Sequence, residues 1–199
     1  MYCSIFYLWH LIEMKRKNTK RLKKRSKTRR FKRQRGGNVD ILVNTGAPPV
    51  SIPPPTDLTV KFLPNSKYSA SDFGNVLKQH ESASEPKTGW TAPPAGTFYT
   101  LLCWDPDAGQ AAGQGGSFLH WLVINCTGTD VSSGKEITDW VPPTPPKGSG
   151  QHRYIFGLFQ QSGQLSMEPS DNRKDFNIAG FIQQHVLTPI KYKGIRVDS

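Results

Sequence analysis

Residues 99–107, Tyr99-Thr100-Leu101-Leu102-Cys103-Trp104-Asp105-Pro106-Asp107, decide how this chain folds. The first six carry no charge and place apolar or aromatic side chains at consecutive rather than alternate positions. That pattern predicts a strand buried on both faces. Pro106 has no N–H to give a ladder, so the strand stops at the carboxylates. Residues 120–126 (His-Trp-Leu-Val-Ile-Asn-Cys) and 154–159 (Tyr-Ile-Phe-Gly-Leu-Phe) repeat the pattern. Turn formers lie between them: a Gly/Gln/Ala stretch at 109–116, Gly128, Gly134, and Pro142-Pro143-Thr144-Pro145-Pro146. Upstream, Leu58-Thr59-Val60-Lys61-Phe62 alternates apolar and polar, as a half-buried strand does. Helical spacing occurs once, at Phe176, Ala179, Ile182 and Val186, with Asp175 as the expected N-cap and Pro189 as the stop. Gly180 inside that helix costs about 1 kcal/mol relative to Ala. The expected fold is mainly β, an antiparallel β-sandwich with a few short helices.

Charge divides the chain. Of 26 Lys and Arg in 199 residues, 14 lie between Lys15 and Arg35, whereas residues 36–199 hold 12 against 14 Asp and Glu. The body is near neutral, which disfavours a globally basic nucleic-acid-binding fold. The expected organisation is a disordered arm at 1–37, a Pro-rich extended lead-in at 38–56, and one domain at 57–199. A run of like charge with only Leu22 and Phe31 as apolar content predicts a grip on nucleic acid or an anionic surface, or a nuclear signal. Residues 2–12 are mostly apolar, but a helix of that length reaches about 17 Å against a hydrocarbon core of roughly 30 Å. The basic block follows it instead of preceding it, so neither a membrane span nor a secretory signal is expected. Met14 offers an alternative start, and Gly36-Gly37 a point of cleavage. Cys3, Cys103 and Cys126 form an odd set without metal-ligand spacing, which predicts a reducing, intracellular setting, cytoplasmic or nuclear.

The polar residues that could carry chemistry stand at strand ends: Asp105 and Asp107 after one strand, His120 opening the next, His152 and Tyr154 opening the third. Asp and His sets invite a metal, yet an Asp-Pro-Asp turn aims its carboxylates apart, one at local amides or at Arg153. Ser117 and Ser149 sit in no nucleophile elbow. No catalytic residue, metal or cofactor is therefore assigned. Backbone carbonyls or Asp139 could equally satisfy His152 and Arg153, and Trp121, Trp140 and Phe156 read as core.

Asp105-Pro106-Asp107-Ala108, then Phe118-Leu119-His120-Trp121, then Pro145-Pro146-Lys147-Gly148-Ser149-Gly150-Gln151-His152-Arg153-Tyr154 resemble, in order and spacing, the phosphatidylethanolamine-binding (Raf kinase inhibitor protein-like) family. The resemblance covers roughly residues 57–190. It implies a small anion pocket built from Asp105, Pro106, Asp107, His120, Pro146, His152 and Tyr154. It also implies a non-catalytic binding module for a phosphate-bearing or other anionic small ligand of the phospholipid head-group type. The alternative is a regulatory protein that inhibits a kinase or protease through surface contacts. Protonated histidines would favour an anion, so affinity is expected to fall as pH rises through about 6.5. The chain departs from the family at Gly109, where a proline is usual and a looser rim is expected. It also ends at Ser199, short of the C-terminal helix that covers the pocket in animal members, so an open pocket is expected.

Overall fold

The computed structural model describes residues 57–62, 68–70, 72–111 and 116–199, so the expected arm and Pro-rich lead-in at 1–56 lie outside the described residues. In chain order the strands are β1 (Thr59–Phe62), β2 (Tyr68–Ser69), β3 (Asp72–Leu77), β4 (Lys87–Gly89), β5 (Tyr99–Asp105), β6 (Phe118–Cys126), β7 (Lys135–Thr138), β8 (His152–Gln160) and β9 (Thr188–Val197). Two helices are short, α1 (Ala108–Ala111) and α2 (Ile178–Gln184). Six strands form one sheet in the order β3-β9-β8-β5-β6-β7, and β2-β1-β4 form a smaller one. Every pairing is antiparallel except β3 with β9, a parallel seam at one edge.

The three charge-poor runs became β5, β6 and β8, side by side in the larger sheet and buried along nearly their whole length. Their side chains alternate between two apolar clusters, as the pleat requires. Leu101, Cys103, Trp121, Val123, Tyr154, Phe156 and Leu158 join Leu58, Val60 and Phe62 of the β1 region. Leu102, Trp104, Leu122, Ile124 and Ile155 join Ile178, Phe181 and Ile182 of α2. Both faces are covered, which is why apolar residues could run without interruption. Gly157 in mid-strand follows from packing, since a Cβ there would stand 2.6 Å from the Phe159 ring and 3.0 Å from Trp104.

The helix is shorter than its periodicity predicts. Asn177, not Asp175, is the N-cap, and its side-chain oxygen accepts the Gly180 N–H at 2.9 Å. Asp175 adopts φ 52°, and the Phe176 N–H donates to the Ser117 carbonyl at 2.8 Å, so a sheet-like bridge claims the first expected turn. At the other end Val186 takes φ 50° while the Leu187 N–H reaches back to the Ile182 carbonyl, a helix-closing turn that normally uses glycine. Pro189 is the second residue of β9. The runs expected from the sequence do not include β2, β3, β4, β7 or β9; β9 mixes Lys191, Lys193 and Arg196 with a buried residue at most alternate positions.

Candidate functional site

Antiparallel pairing builds the site. Because β5 runs opposite to both β6 and β8, its end meets their beginnings: Asp105 faces Phe118, the first residue of β6, and Trp104 faces Ile155 near the start of β8. His120 arrives by a different device. Trp104 pairs with Leu119 and Cys103 with Trp121, which leaves His120 as an extra residue in β6. Such a bulge re-aims a side chain, and the imidazole packs on Phe118 at 4.9 Å and edge-on to Tyr154 at 5.0 Å between ring centroids.

His152 Nδ1 lies 2.7 Å from Asp105 Oδ2, with both side chains almost wholly buried. Asp105 Oδ1 accepts the backbone N–H groups of Asp107 (2.7 Å) and Ala108 (3.1 Å), and the Asp105 charge bears on the Tyr154 phenol. Burial raises the Asp105 pKa, with His152 pulling the other way. Burial and then Asp105 raise that of Tyr154. Asp107 turns away: its Oδ2 accepts from Arg153 Nε (2.9 Å) and from the Arg153 backbone N–H (2.8 Å), and its Oδ1 from Nη2 (2.6 Å). Burial pushes Asp107 up, but the Arg153 bonds outweigh it and hold its pKa below the usual carboxylate value.

The His120 Nδ1 stands 2.7 Å from the Val141 carbonyl. A carbonyl can only accept, so Nδ1 carries the hydrogen and Nε2 is the nitrogen with no partner among the described residues. Burial, with help from the Arg173 and His152 charges and against the Val141 bond, pushes the His120 pKa down to about 4. His120 is thereby kept neutral near pH 6.5 and takes no part in the fall of affinity expected there.

Asp105, His120, His152 and Tyr154 are thus brought together, with Pro106 buried inside the turn and Asp107 tied beside it to Arg153. Pro146 stands exposed, its carbonyl accepting from Ser149 N (3.0 Å) and Oγ (2.7 Å), with no bond to the cluster. At Gly109 a Cβ would collide with the Gly116 backbone, so glycine permits a close approach. Both lie on a cleft of about 270 Å³ that also exposes Ser117, Phe118 and Lys174. Sequence reasoning missed the bulge, the Val141 carbonyl and Arg173, because no local pattern marks a residue whose partners lie 21 or more positions away.

The sequence pattern of phosphatidylethanolamine-binding proteins matches residues 59–195, and the chain belongs to that family. It is 35% identical over 118 residues to the 26 kDa secreted antigen of Toxocara canis, covering 59% of this chain and 44% of that one. The chain spans about half the length of the curated relatives it matches, 58% of one from Drosophila melanogaster. Among solved structures, a phosphatidylethanolamine-binding protein from Plasmodium falciparum superimposes with TM-score 0.63 at 21% identity, over 79% of this chain and 93% of that one. A carboxypeptidase Y inhibitor, solved with its cognate proteinase, does so with TM-score 0.63 at 18% identity, over 73% and 84%. These two likenesses establish the fold. Among the described residues no helix is long and apolar enough to cross a membrane.

Proposed function

We propose that this chain is a non-catalytic binding module whose Asp105, His120, His152 and Tyr154 take a phosphate-bearing or other anionic small ligand of the phospholipid head-group type. The observation that carries the reading is the convergence of two imidazoles, each using Nδ1 within the protein, beside a phenol at one junction of strand ends. With Nδ1 occupied, Nε2 of each ring is the nitrogen left for an occupant. A neutral His120 accepts there, so it suits a phosphate oxygen that still bears its proton, or an ammonium head group. Support for a non-catalytic role comes from the candidate nucleophiles: Cys103 is buried with its thiol pKa pushed up by burial and Asp105, and Ser149 Oγ is spent on Pro146.

Calorimetry with inorganic phosphate and phosphoethanolamine tests it. Replacing His120 and His152 together by Ala should weaken binding at least tenfold, about 1.4 kcal/mol; unchanged affinity would reject the pocket. Inhibition of a kinase or protease by surface contacts is the alternative, favoured by the likeness to a carboxypeptidase Y inhibitor, and it should survive the same double change. For residues 15–35 we retain a grip on nucleic acid or an anionic surface, supported by charge alone. A chain starting at Asn38 should lose that binding, and the full chain should lose it steeply with salt. An intracellular setting is supported by the free buried thiols of Cys103 and Cys126, against which stands the secreted relative; imaging the tagged full chain decides.

A further inference from the structure

We infer that Arg173 is a positioning residue for the candidate site: by clamping Asp139 it holds the Val141 carbonyl against His120 and locks that imidazole in the Nδ1–H tautomer. The need for a clamp is visible in the fold. β7 ends at Thr138, and the Pro-rich residues 139–151 run on without strand or helix to β8. No ladder therefore positions the carbonyl on which the His120 hydrogen bond depends. What does so is a closed loop of contacts. The Arg173 carbonyl accepts from Leu119 N–H at 2.8 Å, next to the bulged histidine. Its guanidinium donates through Nη1 to the Asp139 carbonyl at 2.9 Å and through Nη2 to the Asp139 carboxylate. Two residues further on, Val141 N–H donates to the His120 carbonyl at 3.0 Å, and the Val141 carbonyl receives Nδ1–H at 2.7 Å. Residue 173 thus grips both the strand that carries the imidazole and the segment that carries its acceptor.

Arginine suits this place. Its planar fork reaches a carbonyl and a carboxylate at once, and its side chain is only 11% exposed, with Asp171 a weaker second partner at 3.5 Å. A lysine would keep the charge and lose the fork. The positive charge also acts directly, adding to burial in disfavouring an imidazolium at His120. The other groups facing that ring are His152 and Tyr154 from β8, Phe118 from β6 and Trp140, with Asp105 behind Tyr154 and Asp139 offsetting Arg173. The functional weight of the clamp rests on the ligand reading above; the tautomer does not.

Long-range nitrogen–proton NMR on the isotope-labelled full chain tests the assignment, with thermal unfolding confirming that each variant is folded. Wild-type His120 should show the Nδ1–H tautomer and no titration from pH 5 to 8. Arg173→Gln should give mixed tautomers, the Val141 bond and the Arg173 charge acting on the midpoint in opposite directions. Arg173→Lys, which keeps the charge and loses the fork, should also mix the tautomers. A folded Arg173→Gln chain with an unmixed Nδ1–H signal overturns the proposal. If that variant does not fold, Arg173→Lys and Asp139→Ala decide by the same tautomer signal. Phosphate and phosphoethanolamine are then added to the wild type: signals of His120 and His152 that ignore both remove the ligand reading, while the tautomer data still decide on Arg173.

Discussion

Asp105 and Asp107 stand on either side of one proline and live in opposite surroundings. Asp105 is almost wholly buried, faces an imidazole and two backbone amides, and has its pKa raised by burial. Asp107 is half-buried, sits in the fork of Arg153, and ends below its usual pKa because that pairing outweighs burial. Pro106 cannot join a ladder, so the chain turns between them and sends one carboxylate toward His152 and the other toward the next residue's guanidinium. Two identical side chains two positions apart thus divide the work: one orders the candidate site, and the other fastens β8 to the turn beside it.

The largest break in this comparison comes from Asp105→Ala. It leaves the buried His152 Nδ1 and two half-buried backbone N–H groups without their acceptor, and loss of one partner of a buried pair costs about 3–5 kcal/mol. Urea unfolding at pH 7 reads this, and a loss below about 1 kcal/mol would mean that water or a neighbour replaces the carboxylate.

Acid is the next lever. His120, pushed down to about 4 from 6.5, binds its proton more weakly folded than unfolded. Its contribution is therefore complete above pH 6.5 and lost as pH falls toward 4, roughly 3 kcal/mol in all. The two carboxylates act in opposite senses at the acid end of that window. Asp107, lowered, loses its contribution as pH falls; Asp105, raised, holds its proton more tightly in the fold and gains. Denaturant titrations at pH 4.5 and 7 should show the loss, and His120→Gln should flatten the difference. A wild-type stability independent of pH in this range contradicts the neutral, buried imidazole.

Asp107→Ala should cost less than Asp105→Ala, about 1–2 kcal/mol, because Arg153 is partly exposed and can turn to water. Equal losses at the two positions would erase the distinction drawn between them. Remote from both, Val186→Gly supplies the opposite sign. A β-branched residue at φ 50° that is 65% exposed carries strain with little burial to lose, so glycine should stabilise by about 1 kcal/mol, read as a rise in Tm.

Residues 99–104, 120–126 and 154–159 declared by themselves that they lie in the middle of a sheet, because only a strand covered on both faces tolerates apolar side chains at consecutive positions. The Asp-Pro-Asp turn, the strand-end histidines and the near-neutral body were legible in the same way, from chemistry local to each motif. Other features were not. β9 alternates lysine with apolar residues and is a strand because β8 and β3 hold it; Asp175 has an N-cap composition but is diverted by the Ser117 bridge to Phe176. His120 is a site residue in the sequence, yet its aim, its tautomer and its lowered pKa come from a bulge, a carbonyl 21 residues on, and a guanidinium held to residues 119 and 139. The sequence by itself determined which residues carry polar chemistry and which strands they terminate. Tertiary structure alone decided which nitrogen or oxygen each one offers, because burial and hydrogen-bond partners from distant segments set protonation and direction.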